Sequence, residues 1–204
     1  MNAVSVKAAM ERISCKMNEN KDYLIKLDQQ NGDGDLGVSM SEGFAAAYAF
    51  VQGSEEMDLG KLFMKMGGVF NEAAPSSLGT ILSFGFMGMA KALKGKTEIG
   101  LPEAAEAMKA GVEKIMDKAG SKPGEKTILD ALCPAVETLC TEADGDVKEA
   151  LKKAAEKAAE GSEATKEMRS VHGRAAYYGE KSIGLLDGGS VVGRFIFEAI
   201  ADIA

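Results

Sequence analysis

The chain has 204 residues and a net charge of -7, long enough for one domain with a sizeable core. Its acidic balance argues against nucleic acid or an anionic membrane as the main partner, and any bound anion, such as a nucleotide, needs a cation or helix dipoles beside it. Three cysteines, Cys15, Cys133 and Cys140, are odd in number and follow no signal peptide or long apolar span, which points to a reduced, cytoplasmic protein.

The periodicity is helical almost throughout. Helices are expected at residues 2–18 and 20–28, then 38–52, 56–72, 77–94, 101–119, 127–142, 146–160 and 189–203. No stretch alternates at period two for long enough to read as a strand. Alanine and methionine are plentiful and aromatics few, as in close-packed helices with adaptable filler. The expected class is all-α, with no domain linker and no internal repeat.

Between the second and third helices lies Asp28-Gln29-Gln30-Asn31-Gly32-Asp33-Gly34-Asp35-Leu36-Gly37. Like charges packed this closely repel unless something cationic sits among them. Hard divalent cations take carboxylate oxygens, and glycines let a short backbone aim several at one point. Ser39 and Glu42 are spaced as a capping box for the helix that follows, whose N-terminus could also receive phosphate. Asp-Gly pairs also make ordinary surface turns. An EF-hand fits poorly: counting from Asn31 puts Asp33, Asp35 and Glu42 at positions three, five and twelve, but position one is Asn and position six is Leu36.

Further along, Ala73-Ala74-Pro75-Ser76-Ser77-Leu78-Gly79-Thr80 breaks the pattern before an apolar helix, and its amides and hydroxyls suit either a plain cap or a phosphate. Leu101, Ala104, Ala105, Met108, Val112, Ile115 and Met116 then share one helical face, with Pro102 and Glu103 suited to its first turn. Gly120 to Thr127 forms a glycine- and lysine-bearing loop without the Walker spacing, so it is not a P-loop. Thr127 with Asp130, and Asp146 with Glu149, resemble helix starts. Cys133 and Cys140 fall inside a helical pattern and read as small core residues. The Ala/Lys/Glu-rich segment 146–168 keeps helical spacing with a solvated charged face. Five glycines between Gly173 and Gly189 interrupt the helices with a long, chemically varied loop. The single histidine, His172, reads as structural or exposed.

Three of these stretches together resemble the nucleotide-binding subunit of dihydroxyacetone kinases, also found as the C-terminal domain of one-chain kinases. Asp28, Asp33 and Asp35, followed by Gly37, resemble its metal signature. Gly124-Glu125-Lys126-Thr127-Ile128-Leu129-Asp130 resembles its G-D-K-T-M-x-D segment. Gly173-Arg174-Ala175 through Gly184, with Asp187-Gly188-Gly189, resembles its G-R-A-S-Y-x-G-E-R-S-I-G…D-P-G signature. The matches run in family order over nearly the whole chain.

The resemblance implies an antiparallel eight-helix barrel with the nucleotide, ADP or ATP, at one end. It implies two magnesium ions held by Asp28, Asp33 and Asp35. Gly37, Ser76, Ser77, Gly79, Thr80, Gly124, Thr127, Arg174, Asp187, Gly188 and Gly189 would lie around the nucleotide. It also implies a partner, a histidine-bearing subunit that holds the hydroxyketone, and for a free-standing chain a phosphotransferase-system protein that recharges ADP in place. Phosphoryl transfer of this kind needs charge neutralisation and alignment more than covalent chemistry. The spacing around Ser76, Ser77, Gly79 and Thr80 departs from the family pattern, and so do two single residues: Leu36 stands where a histidine is common and Gly188 where a proline is usual. Both imply altered nucleotide contacts or an altered partner with the metal site kept. From a different class, a non-catalytic nucleotide- or calcium-binding regulator could use the same acidic loop.

Overall fold

A computed structural model describes residues 1–203. The amphipathic periodicity is realised as nine α-helices among those residues: α1 (Ala3–Glu19), α2 (Lys21–Asp28), α3 (Leu36–Gly53), α4 (Leu59–Ala73), α5 (Ser77–Ala92), α6 (Leu101–Ala119), α7 (Leu129–Thr141), α8 (Val147–Ala164) and α9 (Gly188–Ala201). No strand occurs among the described residues; a single antiparallel bridge joins Asn2 and Glu98. Each expected helix is present, with ends shifted by a few residues where a cap decides them. Asp58 and Asp146 start α4 and α8 by accepting the amides of Lys61 and Glu149 at 3.1 and 3.0 Å.

Eight of the helices close a ring. α1 packs on α3, each following helix packs on the next through α9, and α9 packs back on α1, while short α2 lies against α3. Successive ring helices run antiparallel, most of them joined by short connections, with a long excursion only between α8 and α9 and short α2 inserted between α1 and α3. The expected eight-helix barrel is therefore the fold. Its interior is apolar, with Phe70 fully buried between Phe44 and Phe86 at centroid distances of 4.8 and 5.5 Å in edge-to-face geometry. The ring also encloses an apolar cavity of about 460 Å³ lined by Met10, Ile13, Phe44 and Phe197 among others. Cys133 is buried and Cys140 packs at the edge of the core; burial pushes the Cys133 thiol up to about 11.

Two local expectations are corrected. Ser39 and Glu42 do not cap α3, because Asp35 already has helical dihedrals and its carbonyl accepts the Ser39 amide at 2.9 Å. The helix thus begins at Leu36, and Ser39 lies buried within its first turns. The glycine-rich segment after His172 is more ordered than a plain loop. It forms 3-10 turns over Arg174–Ser182, broken at Gly179, where φ is 52°.

The antiparallel order has one consequence for chemistry. α3, α5, α7 and α9 all begin at the same end of the ring, where α2, α4, α6 and α8 finish. Four helix N-termini, each with unpaired amides and a partial positive charge, therefore surround one rim.

Candidate nucleotide and metal site

The acidic loop bridges the end of α2 and the start of α3 on that rim. Asp28 is the last residue of α2, and its Oδ2 accepts the Gly34 amide at 2.7 Å, which folds the loop back on itself. As a result Asp28, Asp33 and Asp35 each bring a carboxylate oxygen within 4.8 Å of the others. Asp33 and Asp35 are exposed and Asp28 is partly covered. Burial, with the Asp33 and Asp28 charges added, raises the Asp35 carboxyl above its ordinary range, while Arg174 opposes the shift. The donor set, carboxylate oxygens only, suits a hard cation such as magnesium or calcium.

Arg174 comes from the far end of the sequence, and its Nη2 lies 2.8 Å from Asp33 Oδ2. The Asp187-Gly188-Gly189 stretch heads α9 beside it. Asp187 caps that helix, its Oδ2 accepting the Ser190 amide at 2.6 Å. Desolvation pushes the Asp187 carboxyl up to about 7; the Asp130 and Asp28 charges add to this, while the Ser190 bond and Lys126 oppose it. Gly188 abuts Leu36, and Gly189 abuts the Ile128 amide at the start of α7.

The Ser76 region joins the same rim. Ser76 caps α5 by accepting the Gly79 amide at 3.1 Å, and its hydroxyl donates to Ser39 at 3.2 Å. Ser77 and Thr80 are exposed on the first turn of α5, whereas Gly79 is buried against Ala74. Gly37 is also a packing position: a Cβ there would meet the Lys21 carbonyl oxygen at 2.2 Å, so α2 and α3 approach closely only because it is glycine. The amides of Gly124 and Thr127 both go to the buried Asp130 carboxylate, at 2.6 and 2.7 Å. They shape the loop before α7 and hold it at the rim. The residues read as a site from the sequence are thus gathered at one end of the ring, some facing outward and some spent on local geometry.

Three residues of this end were not singled out as site residues from the sequence. Asp130 organises the 124–127 turn, a role hinted at by its spacing from Thr127. Glu125 Oε2 lies 2.6 Å from His172 Nε2, so the histidine has a carboxylate partner after all; that bond is the main cause lowering the Glu125 carboxyl. Lys126 is 4 % exposed and carries a positive φ of 59°. The Glu125–His172 pairing has no local signature, since its partners lie far apart in the chain.

The chain as a whole is similar to known proteins. Residues 30–202 match the DAK2 domain family. The ADP-binding subunit DhaL of the PEP-dependent dihydroxyacetone kinase 1 of Listeria innocua is 33% identical over 187 residues, covering 91% of this chain and 88% of the relative. The corresponding Escherichia coli subunit is 28% identical over 182 residues, covering 88% and 87%. Human triokinase/FMN cyclase is 29% identical over 197 residues, covering 95% of this chain but 34% of the longer protein. The crystal structure of the C. freundii dihydroxyacetone kinase in complex with AMP-PNP and Mg2+ superposes with a TM-score of 0.78 at 22% identity, covering all of this chain and 34% of that one, which supports the same fold. The chain belongs to the DAK2 domain family, the family of the ADP-binding subunits of dihydroxyacetone kinases.

Proposed function

We propose that this chain is the nucleotide-carrying subunit of a dihydroxyacetone-type kinase. It would hold ADP or ATP at the rim of the ring and pass a phosphoryl group to a small hydroxyketone bound by a separate, histidine-bearing partner subunit. The observation that carries the reading is the convergence of Asp28, Asp33 and Asp35 within 4.8 Å at the end where four helices begin. Carboxylates and phosphates would repel each other across such a rim unless a cation lay between them. Asp28, Asp33 and Asp35 would hold two magnesium ions, which when bound supply charge neutralisation and alignment of the phosphates. The amide-bearing starts of α5 and α9, with Ser76, Ser77, Thr80, Gly188 and Gly189, would face the rest of the nucleotide, while buried Gly79 would keep the turn before α5 tight. Arg174, already at the acidic loop, would add a positive charge on the phosphate side.

A phosphotransferase-system donor that recharges ADP in place is the preferred phosphoryl source. Support comes from the relatives that match nearly end to end, which are named PEP-dependent or PTS-dependent. No helix among the described residues is long and apolar enough to cross a membrane, in keeping with a cytoplasmic location.

Calorimetric titration with ADP, first with magnesium and then with EDTA, tests the reading. Binding that requires magnesium is expected. Equal affinity in both conditions would remove the metal bridge, and calcium binding without any nucleotide binding would favour the regulator instead.

A further inference from the structure

Lys126 is buried without a carboxylate in contact. Its Nζ donates instead to four backbone carbonyls, those of Thr165 at 2.8 Å, Met168 at 3.1 Å, Ser182 at 2.7 Å and Leu185 at 2.6 Å. An ammonium has three protons, so four oxygens around it form a shell of the kind that surrounds a free monovalent cation. Two of the carbonyls come from where the chain leaves α8 and two from where it returns towards α9. Between them the excursion carries Arg174, and just beyond them stands Asp187. The neck is closed further by Gly184 donating to the Lys166 carbonyl at 2.7 Å and Ser170 donating to the Ser182 hydroxyl at 2.9 Å.

We infer that Lys126 is a positioning residue of the nucleotide site, a built-in monovalent cation that draws both ends of the 165–185 excursion together and so sets Arg174 over the acidic loop. The role rests on the nucleotide reading above for its functional consequence. Its physical logic is independent of that reading. Carbonyl oxygens turned inward from two strands of chain repel one another, and a buried one without a donor is costly. The backbone at Lys126 is left-handed, with φ of 59°, a conformation that disfavours any residue but glycine. A lysine held there marks a side chain whose bonds outweigh that cost.

That backbone makes Lys126→Gly a clean test, because glycine suits the conformation and removes only the side chain. The space it leaves can admit ammonium. In choline chloride, Lys126→Gly is expected to bind magnesium-ADP about ten- to a hundredfold more weakly than wild type, the loss typical of charged hydrogen bonds. Ammonium chloride at the same ionic strength should restore much of it. Lys126→Met, which fills the space with an uncharged chain, should lose affinity and gain nothing from ammonium. Trypsin cleavage after Arg169, Arg174 and Lys181 should accelerate in Lys126→Gly and slow again with ammonium, with helical content by circular dichroism matching wild type. Wild-type affinity in either variant, or a loss in Lys126→Gly that ammonium reverses no better than choline, overturns the positioning role. If wild type itself binds no magnesium-ADP, the nucleotide reading falls, and the trypsin comparison still decides whether Lys126 closes the neck.

Discussion

Leu36 and Gly188 are in contact across the rim: a Cβ added to Gly188 would stand 2.5 Å from Leu36 Cδ2. Both read from the sequence as departures from the pattern that the chain resembles, one in the acidic loop and one at the head of α9. Gly188 is the first residue of α9, where proline is well tolerated because its missing amide hydrogen would go unused. What opposes proline here is the buried leucine, 7 % exposed. The two departures thus form one packing solution. Gly188→Pro alone is expected to cost about 1–3 kcal/mol through overpacking. Joined with Leu36→Ala it should cost less than the sum of the two single changes, with a coupling of about 0.5–3 kcal/mol. Urea melts of the four proteins in the cycle measure it, and additive effects would show the contact to be unimportant.

Asp35 should dominate metal-dependent binding. Asp35→Asn keeps the loop's shape and removes one charged ligand, so magnesium-ADP affinity should fall by on the order of 10²-fold or more. Without ligand the same change should leave the fold intact or raise its melting temperature slightly, because Asp33 and Asp28 repel the Asp35 charge. Thermal melts of both proteins with and without magnesium-ADP decide the matter. An equal ligand-induced gain would place the metal elsewhere.

The free protein should become more stable on mild acidification. The Asp187 carboxyl is raised to about 7, so the folded state holds its proton more tightly than the unfolded chain does. That contribution is fully present below the ordinary carboxylate range and is lost as pH rises through about 7. In EDTA, the melting temperature should therefore rise as pH falls from about 8 to 6. Asp187→Asn keeps a side-chain oxygen for the Ser190 amide and should flatten the slope. An unchanged slope in that variant would assign the effect to another group.

The purified chain alone should not phosphorylate dihydroxyacetone. Its single histidine is already bonded to Glu125 at 2.6 Å, and the Lys126 amine is enclosed by four backbone carbonyls. Triose phosphate should form only when a cognate substrate subunit is added. Turnover without it would reveal a substrate site on this chain.

Local chemistry made the helices readable in advance. Apolar spacing near 3.6 residues, aspartates at helix starts and glycine-rich interruptions all act within a few residues, so the sequence alone determined nine helices, their order and the acidic loop. The tri-aspartate cluster was legible for the same reason, since its three carboxylates lie within eight consecutive residues. The start of α3 was misjudged because loop closure by Asp28 on Gly34 set it ahead of any side-chain cap. Only the tertiary structure decided which distant groups meet. Packing of the ring brought Gly188 onto Leu36, His172 onto Glu125 and Arg174 onto Asp33. It also made Lys126, part of the glycine- and lysine-bearing loop, the buried centre of four carbonyls. Such contacts leave no periodic trace, because burial and the meeting of far segments fix them after the helices have formed.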